Sequence, residues 1–399
     1  MAKQIKASPE EISGRDELAS QLADSLNKKF KDFKAAHFLD GQHETPTDLT
    51  EWVSTGSSLL DLAISNRPEG GFPVGRIIEL QGMEASGKSL IVAHTLANTQ
   101  KKGGLAVYID TENALSEEFL RAVGVDVANM LYVPLETIED AFEAIENIIE
   151  TVRKSSKNRL VTIALDSVSA ATTKIEQDAD YDKDGWATAK AIVMSKAMRK
   201  ITNIIAKQRV LLVCTSQLRE KMGVMFGDKY TTSGGKALGF HASCRIRLKG
   251  VGKLKSGSGK TEQIIGVQTE AQVIKNRMGP PFKKATFDIY FNSGIDDYNS
   301  WLTLMKDYGV IKQSGAYYTI VNEETGEVET VNVTENVVTQ TAIEPLEATV
   351  EVTTYNEETM ESTTETVRNP LIVKDEEERA AAQAVVDATP QAVIDAINN

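Results

Sequence analysis

Cysteine is nearly missing: Cys214 and Cys244 are the only two in 399 residues, and both lie in apolar stretches. So sparse a pair excludes a disulfide framework and a thiolate zinc site, and it suits a reducing compartment. Histidine is also scarce. His37, His43, His94 and His241 stand at no ligand spacing and read as structural. No apolar run approaches the roughly 20 residues that a membrane span requires. The start, Met1-Ala2-Lys3-Gln4-Ile5-Lys6, lacks the apolar core of a signal peptide. A cytoplasmic protein with no membrane partner is therefore expected. Positive charge is in deficit, with 44 Lys and Arg against 57 Asp and Glu and a net charge of −13. Evenly spread, that deficit would argue against a nucleic-acid partner. It is not evenly spread: acids are frequent from Asn322 to Glu378, whereas Lys183 to Lys284 is rich in Lys and Arg. Local patches decide such binding, so whole-chain charge excludes little.

What is present is a soluble, globular composition, 41% hydrophobic and 25% charged. The length is enough for a full core domain with smaller additions. One stretch organises it: Gly82-Met83-Glu84-Ala85-Ser86-Gly87-Lys88-Ser89 fits G-x-x-x-x-G-K-[ST] in full. Arg76 to Gln81 before it is an apolar, β-branched run that predicts a strand. Leu90 to Leu96 after it has apolar residues at helical spacing. Strand, Gly-rich turn and helix start together form a phosphate cradle, because successive N–H groups and the helix N-terminus face one anion. Lys88 then reaches the β- and γ-phosphates and the Ser89 hydroxyl ligates Mg²⁺. The pattern implies binding of a nucleoside triphosphate, ATP with Mg²⁺.

Around this stretch the chain divides into four parts. Residues 1–50 hold an amphipathic helix between Arg15 and Lys34, with Leu18, Leu22, Leu26, Phe30 and Phe33 on one face, then a polar linker. That helix either folds back on its own core or docks on a neighbouring subunit. Residues 51–295 alternate strand and helix patterns, which predicts an α/β domain with a central, mostly parallel sheet. Strands are expected at Ala106–Asp110, Val161–Asp166 and Val210–Thr215, and helices at Ile138–Val152 and Ala187–Ile205. Strands near Ser243–Leu248, Val267–Ile274 and Ala285–Tyr290 have short connections that suggest an antiparallel extension. Residues 296–321 read as a small appended unit. Residues 322–399 read as an acidic, largely flexible tail.

Asp166 ends an apolar strand and fits the carboxylate that holds Mg²⁺ through water in such sites. Glu112, after the strand ending at Asp110, is placed to orient and deprotonate the attacking water; the bland reading is a solvated loop acid. Gln217 follows another strand and is placed to sense the γ-phosphate. The segment Leu218 to Thr232 interleaves Arg219, Lys221 and Lys229 with Met222, Val224, Met225 and Phe226. Apolar residues at a Gly-flanked loop tip suit insertion between nucleic-acid bases, with cations on phosphates; the alternative is a buried hairpin.

The chain resembles the bacterial RecA recombinase family, or a close viral relative of it. The resemblance runs from about Arg15 to Tyr318. It rests on Ser54-Thr55-Gly56-Ser57, the Gly82–Ser89 stretch, Tyr108 to Glu112, Ala197-Met198-Arg199-Lys200, Gly223-Val224-Met225-Phe226-Gly227, Thr231 to Gly235 and Val273 to Arg277. It implies a DNA-dependent ATPase that forms a homo-oligomeric helical filament on single-stranded DNA and pairs it with homologous duplex DNA. It implies Glu112 as catalytic carboxylate, Gln217 as γ-phosphate sensor, and Phe119 at the adenine. Lys275 and Arg277 become cations acting on the neighbour's ATP. Arg199, Arg219, Lys221, Met225, Phe226, Gly234 and Gly235 become DNA contacts. Phe240 and the Leu18/Leu22/Leu26 face become subunit contacts. Localisation follows as cytoplasmic and nucleoid-associated, or host cytoplasm for a virus-encoded protein.

The chain departs from the family in places. The first DNA loop, about Ile175 to Trp186, is long and carries Asp178, Asp180, Asp182 and Asp184. Phe119 replaces the usual tyrosine and Ser116 an aspartate, and the usual helical C-terminal domain is not recognisable. A ring-forming, DNA-translocating motor and a regulatory ATPase scaffold are the alternatives on the same core.

Overall fold

The computed structural model describes residues 16–30, 34–38, 48–67, 70–179, 186–220, 230–232, 235–257, 262–314, 317–321, 328–332, 349–356 and 361–368. The helix expected near the start is α1 (Glu17–Lys29), opened by the Asp16 carboxylate, which accepts from the N–H groups of Leu18 and Ala19. Next come β1 (Trp52–Val53), α2 (Ser58–Ser65), β2 (Phe72–Pro73), β3 (Ile77–Gly82), α3 (Lys88–Lys101), β4 (Leu105–Asp110), α4 (Glu117–Ala122) and β5 (Met130–Pro134). They are followed by α5 (Ile138–Ser155), β6 (Val161–Asp166), α6 (Lys174–Gln177), α7 (Trp186–Lys207), β7 (Val210–Glu220) and β8 (Tyr230–Thr232). Then come α8 (Ala237–His241), β9 (Cys244–Ser256), β10 (Gln263–Asn276), β11 (Lys284–Tyr290), β12 (Gly294–Asp296) and α9 (Asp297–Asp307).

One large sheet runs β12-β11-β10-β9-β3-β7-β6-β4-β5, with β8 pairing β7. The pairs from β5 through β9 are parallel, and the pairs β9–β10, β10–β11 and β11–β12 are antiparallel. The central strands β3 and β6 are buried along their whole length, as strands covered on both faces must be, and they read accordingly as apolar runs. Alternate residues feed the two faces. Ile78 and Leu80 pack with Ile91 and Leu96 of α3 and with Leu60 and Phe72. Ile77, Ile163 and Leu165 pack with Ile145 and Ile149 of α5 and with Met194, Met198, Ile201 and Ile205 of α7. The ends of the parallel strands therefore form one edge, and the helices hold that edge rigid.

The antiparallel extension is longer than its sequence signal. β9 and β10 pair from Cys244–Asn276 out to Ser256–Gln263, past the last buried residue of β9, Leu248. The small unit also runs further than residue 321. Trp301, Leu302 and Met305 of α9 pack with Ile311 and Leu62. Beyond them β13 (Ile311–Ser314), β14 (Tyr317–Val321) and β15 (Val328–Asn332) form an antiparallel sheet. β16 (Thr349–Asn356) pairs β17 (Glu361–Arg368).

Candidate nucleotide site and the opposite edge of the sheet

Gly82 ends β3, and Gly87, at φ 92°, opens α3 in the left-handed region where only glycine sits without strain. A side chain on Gly82 would meet Ser86 Oγ at 2.2 Å, and one on Gly87 would meet Ile289 Cδ1 at 2.8 Å. The turn is thus tight enough that its backbone N–H groups converge. The Ser86 hydroxyl donates to Met83 O at 2.8 Å and closes it. Lys88 Nζ folds over the same turn, donating to Met83 O at 2.8 Å and Gly82 O at 3.3 Å. Burial holds its pKa below the usual lysine value, while Asp166, Glu112 and Glu84 pull it back up. Ser89 is exposed one residue further along α3, and Met83, Glu84 and Ala85 are exposed on the rim. A converging, cation-backed cradle of this shape fits a polyphosphate.

The parallel registers bring the acids to this edge. Asp110 is level with Asp166, and Gly82 is level with Gln217. The Asp166 carboxylate accepts from Tyr108 Oη at 2.6 Å and from the Thr215 hydroxyl. Each oxygen keeps a lone pair for a metal-bound water, so the group fits the Mg²⁺ role. The Asp110 carboxylate is spent on its own loop, accepting from the N–H groups of Glu112, Asn113, Ala114 and Leu115 and from Tyr132 Oη. That cap fixes where Glu112 projects, and Ser167 Oγ donates to Glu112 Oε1 at 2.6 Å. Sequence reasoning passed over Tyr108, Thr215 and Ser167, because a hydroxyl's partner is set by strand register and not by any local pattern. Phe119 is half-buried against the core, and Ser116 caps α4 by accepting from Phe119 N.

Lys275 and Arg277 lie elsewhere. Lys275 is level with Arg245, which is level with Glu79. Arg277 N–H donates to Ser243 O, beside the start of β3. Lys275 Nζ turns to Gly239 O at 2.9 Å and Phe240 O at 2.8 Å, and Arg277 reaches Phe240 O at 3.4 Å. Both cations are thus directed at the edge where β3 begins, while the Gly82–Ser89 turn is where it ends. That separation is roughly 16 Å at about 3.3 Å per strand residue. Burial, then Arg277 and Arg245, push the Lys275 amine down to about 8, with Glu79 opposing. Burial and the cations Arg277, Lys275 and Arg199 lower His241 as well. Cations outnumber anions among the charges acting on Lys275 and His241. Arg245 bonds the buried Glu79, and Phe240 projects with 71% of its surface exposed.

Among the expected DNA contacts, Arg199 is exposed on α7 and Arg219 is exposed at the end of β7. Gly235 has φ 81°, and a side chain there would crowd Ala191. Lys221, Met225, Phe226 and Gly234 lie outside the described residues, as do Asp180, Asp182 and Asp184. The apolar face of α1 is largely exposed: Leu18, Leu22 and Leu26 are 63%, 55% and 43% exposed. Among the described residues no cluster of His, Cys, Asp and Glu could hold a metal by itself, and no helix is long and apolar enough to cross a membrane.

A family model described as the RecA N-terminal domain matches residues 20–296. The chain is 36% identical over 316 residues to Protein RecA of Heliobacterium modesticaldum, covering 79% of this chain and 87% of that protein. It is 38% identical over 306 residues to the chromosomal Protein RecA of Lactococcus lactis subsp. lactis, covering 77% and 76%. It is 39% identical over 277 residues to Protein RecA of Bacteroides thetaiotaomicron, covering 69% and 80%.

Proposed function

The chain belongs to the RecA family, and from that premise we propose a division of labour between the two edges of its sheet. The protein is a DNA-dependent ATPase of recombination and repair that forms filaments and exchanges homologous strands. Each subunit binds ATP in its Gly82–Ser89 cradle, where Lys88 exchanges its two loop carbonyls for phosphate oxygens. Ser89 and, through water, Asp166 would hold Mg²⁺, which would supply charge neutralisation. Glu112, held by Ser167, takes a proton from the attacking water. Gln217, level with Gly82, senses the γ-phosphate.

Lys275 and Arg277 of the next subunit complete the site in trans. The observation that carries this is their direction: they point to the edge opposite their own cradle, where they are flanked by the exposed Phe240. The largely exposed Leu18/Leu22/Leu26 face of α1 supports stacking of one subunit on the next. Arg199, Arg219, Lys221, Met225, Phe226, Gly234 and Gly235 contact single-stranded DNA. Nucleoid association follows from that binding. A closed-ring motor is not favoured.

Mixing two inactive variants, Lys275→Ala and Glu112→Gln, tests the arrangement. Shared interfaces then pair an intact Glu112 half-site with intact cations, and ATPase activity returns in part. No recovery at any mixing ratio, with co-assembly verified by sedimentation, would place the cations on their own subunit's chemistry or on DNA alone.

A further inference from the structure

We propose that Lys190 is a positioning residue that links the first DNA loop to the hydrolytic side chains; the inference rests on the reading of residues 175–186 and 218–232 as DNA loops. The sequence already marks the position. The buried face of α7 is Met194, Met198, Ile201 and Ile205, and one turn earlier the same stripe carries Lys190 in place of an apolar residue. Packing does not call for a cation there.

The side chain is only 8% exposed. Its Nζ donates to Ser169 O at 3.0 Å and to Ala171 O. These carbonyls stand where a counter-ion would be expected. Burial lowers the amine's pKa, Glu176 opposes that, and Arg219 reinforces it. A buried ammonium is costly unless its bonds are made, so the carbonyls and α7 are held together.

The two carbonyls belong to the turn between β6 and α6, and that turn also touches the Glu112 side chain and the backbone of Gln217. Ser167 Oγ donates to Glu112 Oε1 at 2.6 Å, and Ser169 Oγ accepts the Gln217 N–H at 2.8 Å. On the other side, α7 begins at Trp186, where the first loop ends, and Arg219 stands at the root of the second. A displacement of the first turns of α7 when DNA engages the loops therefore pulls on Ser169 and Ala171. Through them it moves Gln217 and the partner of Glu112. Lys190 is the side chain through which that pull passes.

Lys190→Met completes the apolar stripe but takes the donor from the Ser169 and Ala171 carbonyls, so it should fold with a modest loss of stability, which thermal denaturation checks before the assays. With this full-length variant, single-stranded DNA should raise ATPase turnover at least about tenfold less than in the unaltered protein, equivalent to ~1.4 kcal/mol of lost coupling. DNA-independent turnover, ATP affinity and single-stranded DNA affinity should stay within about threefold. Ser169→Ala should also lower the stimulation, and the double variant should be no worse than the more affected single one, as for two links of one chain. Lys190→Arg, which keeps a cation and two donors, should restore part of the effect. Unchanged stimulation in Lys190→Met would overturn the proposal, and so would a loss of DNA affinity in proportion to the loss of stimulation. The loop assignment is judged separately, by whether Arg219→Ala weakens single-stranded DNA binding.

Discussion

Lys88 is the one cation that the Gly82–Ser89 turn itself carries, and in the structure it fills the turn by bonding two of its carbonyls. Lys88→Ala should therefore abolish hydrolysis; unchanged ATPase activity would remove the site assignment. Glu112→Gln keeps the Ser167 hydrogen bond but cannot accept a proton. It should leave nucleotide binding near normal and cut turnover by ~10²-fold or more, the scale of a lost general base. Loss of binding with turnover per bound ATP intact would make Glu112 structural. Lys275 gives a pH signature. Its amine is pushed down to about 8 by burial and by Arg277 and Arg245, so the charge needed at a neighbour's phosphate is present below that value and lost as pH rises through it. An adjoining phosphate raises the midpoint, and further burial of the amine in an interface lowers it. Filament ATPase should fall on the alkaline side of the profile, and Lys275→Arg, which stays charged, should move that limb upward whatever its amplitude. Coincident alkaline limbs for the two proteins would assign the titration to another group.

At the scale of elements, legibility followed how local the signal was. The cradle, β4, β6, α5 and α7 could be read from period and caps, because their apolar residues repeat along the chain itself. β5 was not: Leu131 and Tyr132 are 43% and 42% exposed on an edge strand, so Met130–Pro134 carries neither a buried run nor a clean alternation. The reach of β9 and β10 was equally hidden, since their distal halves are polar ribbon held by pairing with each other. Site residues divide the same way. Lys88 and Ser89 come with a motif, whereas Tyr108, Thr215 and Ser167 matter only because register sets them beside Asp166 and Glu112. α1 shows a signal that is legible in pattern but not in destination. Its Leu18, Leu22 and Leu26 repeat at helical spacing, yet none is buried in its own subunit. Burial of each leucine in an interface is worth about 1.5–3 kcal/mol. Leu22→Asp should then weaken assembly by ~10-fold or more while the separated subunit still binds ATP. Sedimentation with and without DNA measures this, and undiminished assembly would return α1 to the role of a tether.

Across the whole molecule, charge is segregated, and this predicts regulation by the acidic C-terminal region. Residues 322–399 lie beyond the stretch matched by the family model, and from Asn322 to Glu378 acids outnumber bases on a chain whose Lys183–Lys284 stretch is basic. Such a region competes with phosphates for the same cations. The competition is screened within roughly 8–10 Å at physiological salt, so it acts only where the acids lie close to the DNA path or obstruct a second, duplex strand. The place to cut follows from the structure. β15 (Val328–Asn332) completes a sheet with β14, so ending the chain after residue 321 would strip an edge, whereas ending it after residue 340 spares the sheet. The shortened protein should bind duplex DNA more tightly than the full chain, most clearly at low salt. Sequence preference should hardly change, because attraction to phosphates carries no base information. The competing account is a region that aids solubility alone. Duplex titrations across a salt series separate the two: divergence that closes as salt rises marks electrostatic competition, and superimposable curves at every salt concentration leave only solubility.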